Sequence, residues 1–276
     1  MYKDRLSYTI IRFEFIAKGS IMYRIGWLLV LATLQVWGGF FYAAVMQKEN
    51  RLKRQMVLSN AAFANLLDTI RQGWHKGYAV TDINHAPRKW IVLMSKETSP
   101  KEQLVIQRRL MSEVRDAVDR YETQGWRLVN IENGVGYWTL LFDKSSDASD
   151  TRLITYRDKA WFDAHIRRLA KEGYGVCDIE NEEGYWTAIV QKNIPTQKIY
   201  SAETFDAVER MLKAMWKEGY RTRLLEYGNG WWYMVFEKGK RLENVTIAED
   251  YGDFIREIRR RWKKGYRVTD LSQARR

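Results

Sequence analysis

The sequence predicts an α+β protein of five tandem units, each a helix and three strands in about 47 residues. Three observations predict it. Gly-aromatic pairs recur at Gly77-Tyr78, Gly125-Trp126, Gly173-Tyr174, Gly219-Tyr220 and Gly265-Tyr266, at nearly equal intervals along the chain. Trp90, Trp138, Trp186 and Trp232 follow the first four glycines at one fixed offset, and Lys96, Lys144, Lys192 and Lys238 follow them at another. Periods of about 20–50 residues mark chains built from stacked supersecondary units.

Each unit opens on a helix. In Phe205–Lys217, Phe205, Val208, Leu212 and Met215/Trp216 recur at three or four residues and make one apolar face, while Arg210, Lys213 and Lys217 lie opposite. The glycine then stops the helix, because a residue with positive φ is cheapest as Gly, and basic residues in the last turn suit the helix dipole. A first strand follows: Tyr78–Ile83, Trp126–Ile131, Tyr174–Ile179, Tyr220–Leu225, Tyr266–Leu271. Asn133-Gly134, Glu183-Gly184 and Gly228-Asn229-Gly230 read as hairpin turns. The second strands, Trp90–Met94, Trp138–Phe142, Trp186–Val190 and Trp232–Phe236, are apolar almost without interruption, which predicts burial on both faces. Weaker third strands follow at Leu104–Gln107, Leu153–Tyr156, Lys198–Ser201 and Asn244–Ile247.

Residues 1–39 form a basic N-terminal segment with Lys3, Arg5, Arg12, Lys18 and Arg24. The run Ile25–Met46 carries no charge, and its length suits a membrane-spanning helix, which needs about 20 residues. This predicts a single transmembrane helix at about 21–41 and a membrane location as a single-pass N-terminal anchor, the side of the repeat domain being open. A competing reading aligns Tyr42–Lys48 with Trp186–Lys192, so that the run ends in a second strand of a degenerate repeat.

The last unit reaches its first strand and stops, while Phe40–Leu58 supplies two strands without a helix. Residues 40–276 are therefore expected to form a five-unit ring, with the N-terminal strands paired against the C-terminal unit. Closure would remove the exposed edges of an open array. The alternative is an open αβ solenoid. The motifs Trp262–Asp270 (WKKGYRVTD), Trp74–Asp82 (WHKGYAVTD) and Lys89–Lys96 (KWIVLMSK) resemble the tandem repeats that follow the kinase domain in plant casein-kinase-like proteins. The likeness covers roughly Phe40 to Leu271 and is weakest at Arg120–Asn130, where Glu122 stands in place of the helix-end tryptophan. It implies neither kinase activity nor any other established chemistry. In outline the ring is also similar to pentein-type αβ propellers, whose Cys-His arrangement is not visible here.

Asp82, Asn130, Asp178 and Asp270 share one slot late in the first strand, broken by Leu224. They form a candidate axial polar ring, or else cap the following turns. The four repeat tryptophans read as core rather than as a base-stacking platform. Cys177 reads as a small structural residue, and His75, His85 and His165 share neither a slot nor a ligand spacing. No catalytic, metal or cofactor motif is present, and no small-molecule substrate follows from the sequence. The net charge of +12, from 46 Lys and Arg against 34 Asp and Glu, suits an anionic partner. Its candidate surface is Arg167, Arg168, Lys213, Lys217, Arg256, Arg260 and Lys263, on predicted helix faces. The sequence thus favours a non-catalytic, membrane-associated scaffold that binds protein partners and an anionic membrane surface, as a subunit of a larger assembly. The first alternative is a soluble nucleic-acid-binding repeat protein, and the second an enzyme with a site on the ring axis.

Overall fold

The computed structural model describes residues 40–48, 54–86, 88–96, 102–144, 150–239 and 244–275. The basic segment 1–39, with almost all of the expected membrane helix, lies outside the described residues.

Five helices of 12 or 13 residues alternate with antiparallel three-stranded sheets: α1 (Phe63–His75), α2 (Met111–Glu122), α3 (Lys159–Lys171), α4 (Phe205–Lys217) and α5 (Tyr251–Lys263). In the first sheet β2 (Gln55–Asn60) and β3 (Tyr78–Ala86) flank β4 (Lys89–Lys96). The pattern repeats with β5 (Gln103–Arg108), β7 (Tyr137–Lys144) and β6 (Trp126–Gly134), then with β8 (Thr151–Tyr156), β10 (Trp186–Lys192) and β9 (Tyr174–Glu180). The fourth sheet is β11 (Gln197–Ala202), β13 (Trp231–Lys238) and β12 (Tyr220–Gly228). The third strand of each sheet therefore precedes its helix instead of following the hairpin. The two outer strands both pair antiparallel to the centre strand, so they run parallel to each other, and a parallel pair needs a long crossover, which the helix provides.

The two N-terminal strands separate. β1 (Phe40–Lys48) is the centre strand of the last sheet, between β14 (Asn244–Ala248) and β15 (Tyr266–Arg275), with Ala44 opposite both Thr246 and Leu271. β2 joins the sheet that follows. Only one of the two expected strands thus completes the last unit; β14 is the other. Each sheet is open, with two edges. The expected propeller is not found: the units are separate open sheets of three strands, each with a helical crossover, where propeller blades have four strands.

The membrane expectation is corrected as well. Among the described residues no helix is long and apolar enough to cross a membrane, so a single-pass anchor is not seen. The uncharged run ends inside β1, where Tyr42 to Met46 are all buried. Tyr42, Ala44 and Met46 face the core beneath α5, while Ala43 and Val45 face the core beneath α4. Charge is missing here because both faces of a centre strand are covered.

The other centre strands behave alike. Trp90, Val92 and Met94 pack under α1, and Ile91 and Leu93 pack against α5. Leu141 reaches the α1 core, Ile189 the α2 core, and Tyr233 and Val235 the α3 core. Each helix is thus held between its own sheet and the sheet of the next unit. The nearly unbroken apolarity of the second strands follows from that two-sided burial.

The repeated lysine also has a physical reason. The ammonium of Lys96, Lys144, Lys192 and Lys238 lies 5.2, 4.7, 5.2 and 5.7 Å from the ring centre of Tyr78, Trp126, Tyr174 and Tyr220, the aromatic residue of the glycine pair. Lys48 sits 6.0 Å from Tyr266, the same contact completed by the N-terminal strand. Lys144 Nζ also donates to the Gln124 carbonyl at the end of α2, at 2.8 Å.

Gly77, Gly125, Gly173, Gly219 and Gly265 have φ between +75° and +87°. A Cβ built on Gly219 meets no atom within 4 Å, so only backbone strain opposes a side chain there. Gly219→Ala is expected to cost about 1 kcal/mol in urea unfolding with an unchanged m value; a neutral or stabilising result would contradict it. The turn expected at Asn133-Gly134 moves on along the chain. β6 continues through Gly134, and Val135 and Gly136 take the two positive φ values of a type I′ turn, +54° and +71°.

Candidate functional site

Every first strand is a sheet edge, and an edge leaves a row of backbone donors to satisfy. β3 lies against β6, β6 against β9, β9 against β12, β12 against β15, and β15 against β3. The slot of Asp82, Asn130, Asp178 and Asp270 stitches these neighbours. Asn130 Oδ1 accepts from Ile83 N at 3.2 Å, Asp178 Oδ2 from Ile131 N at 2.8 Å, Asp270 Oδ2 from Leu225 N at 3.0 Å, and Asp82 Oδ2 from Leu271 N at 2.7 Å. Each donor follows the slot of the adjacent unit, just past a bulge in its own strand. At the remaining joint the slot holds Leu224, and Ile179 N turns to Asp178 Oδ1 of its own unit at 3.0 Å. These side chains therefore act between units and do not cap the turns.

A second stitch joins the units from the other end of the strands. Gln103 at the start of β5 accepts from Trp74 Nε1 at 2.9 Å and Val80 N at 2.7 Å, and donates to Val80 O and Asp143 at 2.8 and 2.7 Å. Gln55 repeats this on Trp262 and Val268, and Gln197 on Val176. The sequence signal is a glutamine at the head of the strand that enters the next unit, at Gln55, Gln103 and Gln197. Gln103→Ala removes three hydrogen bonds across one joint and a fourth, to Asp143, within its own sheet, and an expected loss of about 2–3 kcal/mol is checked by denaturant midpoint. A midpoint shift no larger than that of an exposed Gln→Ala change would exclude a structural role.

Above and below the polar layer the same five strands line two cavities. One has a volume of about 180 Å³ and is bounded by His85, Glu132, Asn133, Glu180, Glu226 and Gln273, among others. Glu132, Glu180 and Glu226 are all buried, one step further along the same strand face than Asn130, Asp178 and Leu224. Burial pushes all three well above the usual carboxylate range; repulsion from Glu180 adds to this at Glu132 and Glu226, and repulsion from Glu182 at Glu180. Glu132 Oε1 accepts from His85 N at 2.7 Å, a further edge donor.

The other cavity, about 390 Å³, lies on the opposite side of the slot. Arg127, Arg223 and Arg267 line it, from β6, β12 and β15. Among the described residues of its wall Asp143 is the one carboxylate; Gln103, Gln191, Thr81 and Cys177 add polar groups. Burial pushes the Cys177 thiol up to about 11, which leaves it largely protonated at neutral pH and slow to react. In the layer between the cavities, burial lifts Asp178 to about 7 and Asp270 to about 8, and raises Asp82 well above its usual value. Among the described residues no cluster of three or more His, Cys, Asp and Glu is arranged to hold a metal.

The remaining candidates are scattered. Trp90, Trp138, Trp186 and Trp232 are 2, 0, 7 and 3% exposed and belong to the core. Arg167, Arg168, Lys213, Lys217, Arg256, Arg260 and Lys263 are all exposed, on α3, α4 and α5. The arginine and glutamate clusters do not stand out in the sequence because neither fills all five equivalent positions; Arg127 and Arg267 share a slot with Ala79, Gly175 and Arg221.

No family model matches this sequence, and no curated protein is significantly similar to it. Its likeness to the repeats of plant casein-kinase-like proteins therefore rests on the motifs themselves.

Proposed function

We propose that the chain is a non-catalytic interaction scaffold whose five units close into a ring and whose outward helix faces recognise acidic protein surfaces. The ring is supported by the cyclic order of contacts among β3, β6, β9, β12 and β15, and by β1 lying between strands from the C-terminal end. The observation that carries the functional reading is the exposure of all seven candidate cations on α3, α4 and α5. They are interleaved with carboxylates: Arg260 pairs with Glu257 at 2.6 Å, Lys213 with Glu209 at 3.6 Å and Arg168 with Glu172 at 3.8 Å. A mixed pattern of this kind favours a protein surface, whose carboxylates are spaced among other side chains, over a uniform phosphate backbone. The net charge of +12 favours a nucleic-acid partner instead; the four repeat tryptophans are buried and offer single strands no stacking platform, although Trp161 on α3 is exposed.

The test combines two measurements on the full chain and on a Lys213→Glu, Arg260→Glu, Lys263→Glu variant. Cross-links in the native host should map from Lys213, Lys217 and Lys263 to acidic segments of a defined protein, and should be lost in the variant. RNA mobility shifts at rising salt should be weak. Tight RNA binding that falls steeply with salt and disappears in the variant would overturn the scaffold reading in favour of nucleic acid.

A further inference from the structure

We propose that the cavity lined by Arg127, Arg223 and Arg267 is a binding site for a small dianionic ligand of the phosphate type. Arginines from three different units line one space of about 390 Å³, and among the described residues that line it Asp143 is the one carboxylate. The lining carries a formal charge of +2, because the Cys177 thiol stays protonated. A dianion balances that charge.

The volume fits one small molecule and excludes a helix or a strand. Guanidinium groups recognise tetrahedral oxyanions through paired N–H donors, and they remain charged at every working pH. Gln103, Gln191 and Thr81 line the same space and can offer further polar contacts, while Val80, Leu128, Val129 and Ile189 make the apolar part of the wall against which an organic portion of the ligand can pack. Arg223 also acts electrostatically on Cys177, Asp178 and Asp270, which places its charge over the middle of the strand array rather than out in solvent. This site is independent of the helix faces, so it stands or falls apart from the scaffold reading.

The experiment titrates the full chain with inorganic phosphate at constant ionic strength and follows melting temperature and heat. Saturable binding with a Kd below about 1 mM is expected, with a Tm that rises with phosphate as ligand linkage requires. Arg223→Gln should weaken binding at least tenfold, and Arg71→Gln, a change on the exposed face of α1, should leave it unaltered. Cys177 is the only cysteine in the chain and lines the cavity, so the wild-type protein supplies a second readout. Phosphate should slow its reaction with a thiol reagent over the same concentration range, whatever the variant's folding. Succinate at equal ionic strength tests whether a planar dicarboxylate substitutes for the tetrahedral ion; weaker binding than phosphate supports the proposal, and equal binding overturns the preference for phosphate. No saturable binding up to 10 mM together with no protection of Cys177, or equal binding by folded Arg223→Gln, would overturn the site itself.

Discussion

Deleting residues 266–276 is expected to abolish cooperative folding of the whole repeat domain. Tyr266–Arg275 are β15. They pair with β1 from Phe40↔Arg275 to Lys48↔Tyr266 and bury Val268 and Leu271 to 0 and 3% exposure. Losing those two side chains costs about 3–6 kcal/mol. The consequences reach both neighbouring units. Gln55 loses Val268 N and O, Asp82 loses Leu271 N, and Leu225 N loses Asp270. Each buried group left without a partner costs about 1–3 kcal/mol more. Together these losses rival the total stability of an ordinary domain, about 5–15 kcal/mol. An open array predicts something different: damage confined to the last sheet, with the amides of β3 and β4 protected as before. Hydrogen exchange separates the two outcomes. Loss of protection at Ile83 and Ile91 along with the last sheet is the ring's signature, and a truncated protein that melts within about 3 °C of the full chain would rule out closure.

Much of the architecture is legible in the sequence because the repeat is enforced by contacts that recur. The glycine must adopt positive φ, the aromatic after it must meet the lysine that ends the second strand, and the tryptophan of that strand must fill the core. Each is a local rule, repeated in register. The order of strands within a sheet is not local. Nothing in Leu104–Gln107 says whether it pairs with the hairpin before it or after it, and it pairs with the later one, β7. The apolar run to Met46 misleads for a related reason. A strand covered on both faces and a membrane helix both lack charge, and only the partners Ala248 and Leu271, at the far end of the chain, identify Phe40–Lys48 as a strand. The polar layer is visible as a slot, but its role is not, since the acceptor of each edge donor belongs to the adjacent unit, as with Ile83 and Asn130. Arg127, Arg223 and Arg267 come together only through the packing of β6, β12 and β15.

The protein is expected to be more stable near pH 5.5 than at pH 8.5, the reverse of a fold held by ionised carboxylates. The cause is the buried polar layer. Asp178 and Asp270 have their pKa values lifted to about 7 and about 8 by burial, against about 3.9 in an unfolded chain. Between pH 4 and pH 8 the native state therefore holds more protons than the unfolded state, so stability falls as pH rises. The contribution is complete below about pH 4 and is lost as pH passes through 7 and then 8. Glu132, Glu180, Glu226 and Asp82, all raised by burial, act in the same direction. Several groups oppose it at the acid end, among them Glu113, Asp150, Glu257, His85 and His165. Glu257, lowered to about 2 mainly by its bond to Arg260, and His85, lowered by burial, both favour the native state above their unfolded values. The optimum should accordingly lie near pH 5–6. Lifting one carboxyl from about 3.9 to about 7 or 8 corresponds to about 4–5 kcal/mol, of which only the part above pH 5.5 is lost in this range, so a drop of about 2–5 kcal/mol between pH 5.5 and 8.5 is expected from urea midpoints. Asp270→Asn isolates the cause. Asn130 fills the same slot and accepts from Ile83 N, so an amide at position 270 can still accept from Leu225 N, which Asp270 takes at 3.0 Å. The variant should match the parent at pH 5.5, exceed it at pH 8.5, and show a shallower slope between. Stability that stays level or rises from pH 5.5 to 8.5 in the parent would mean that these carboxyl groups are ionised and hydrated in the folded protein.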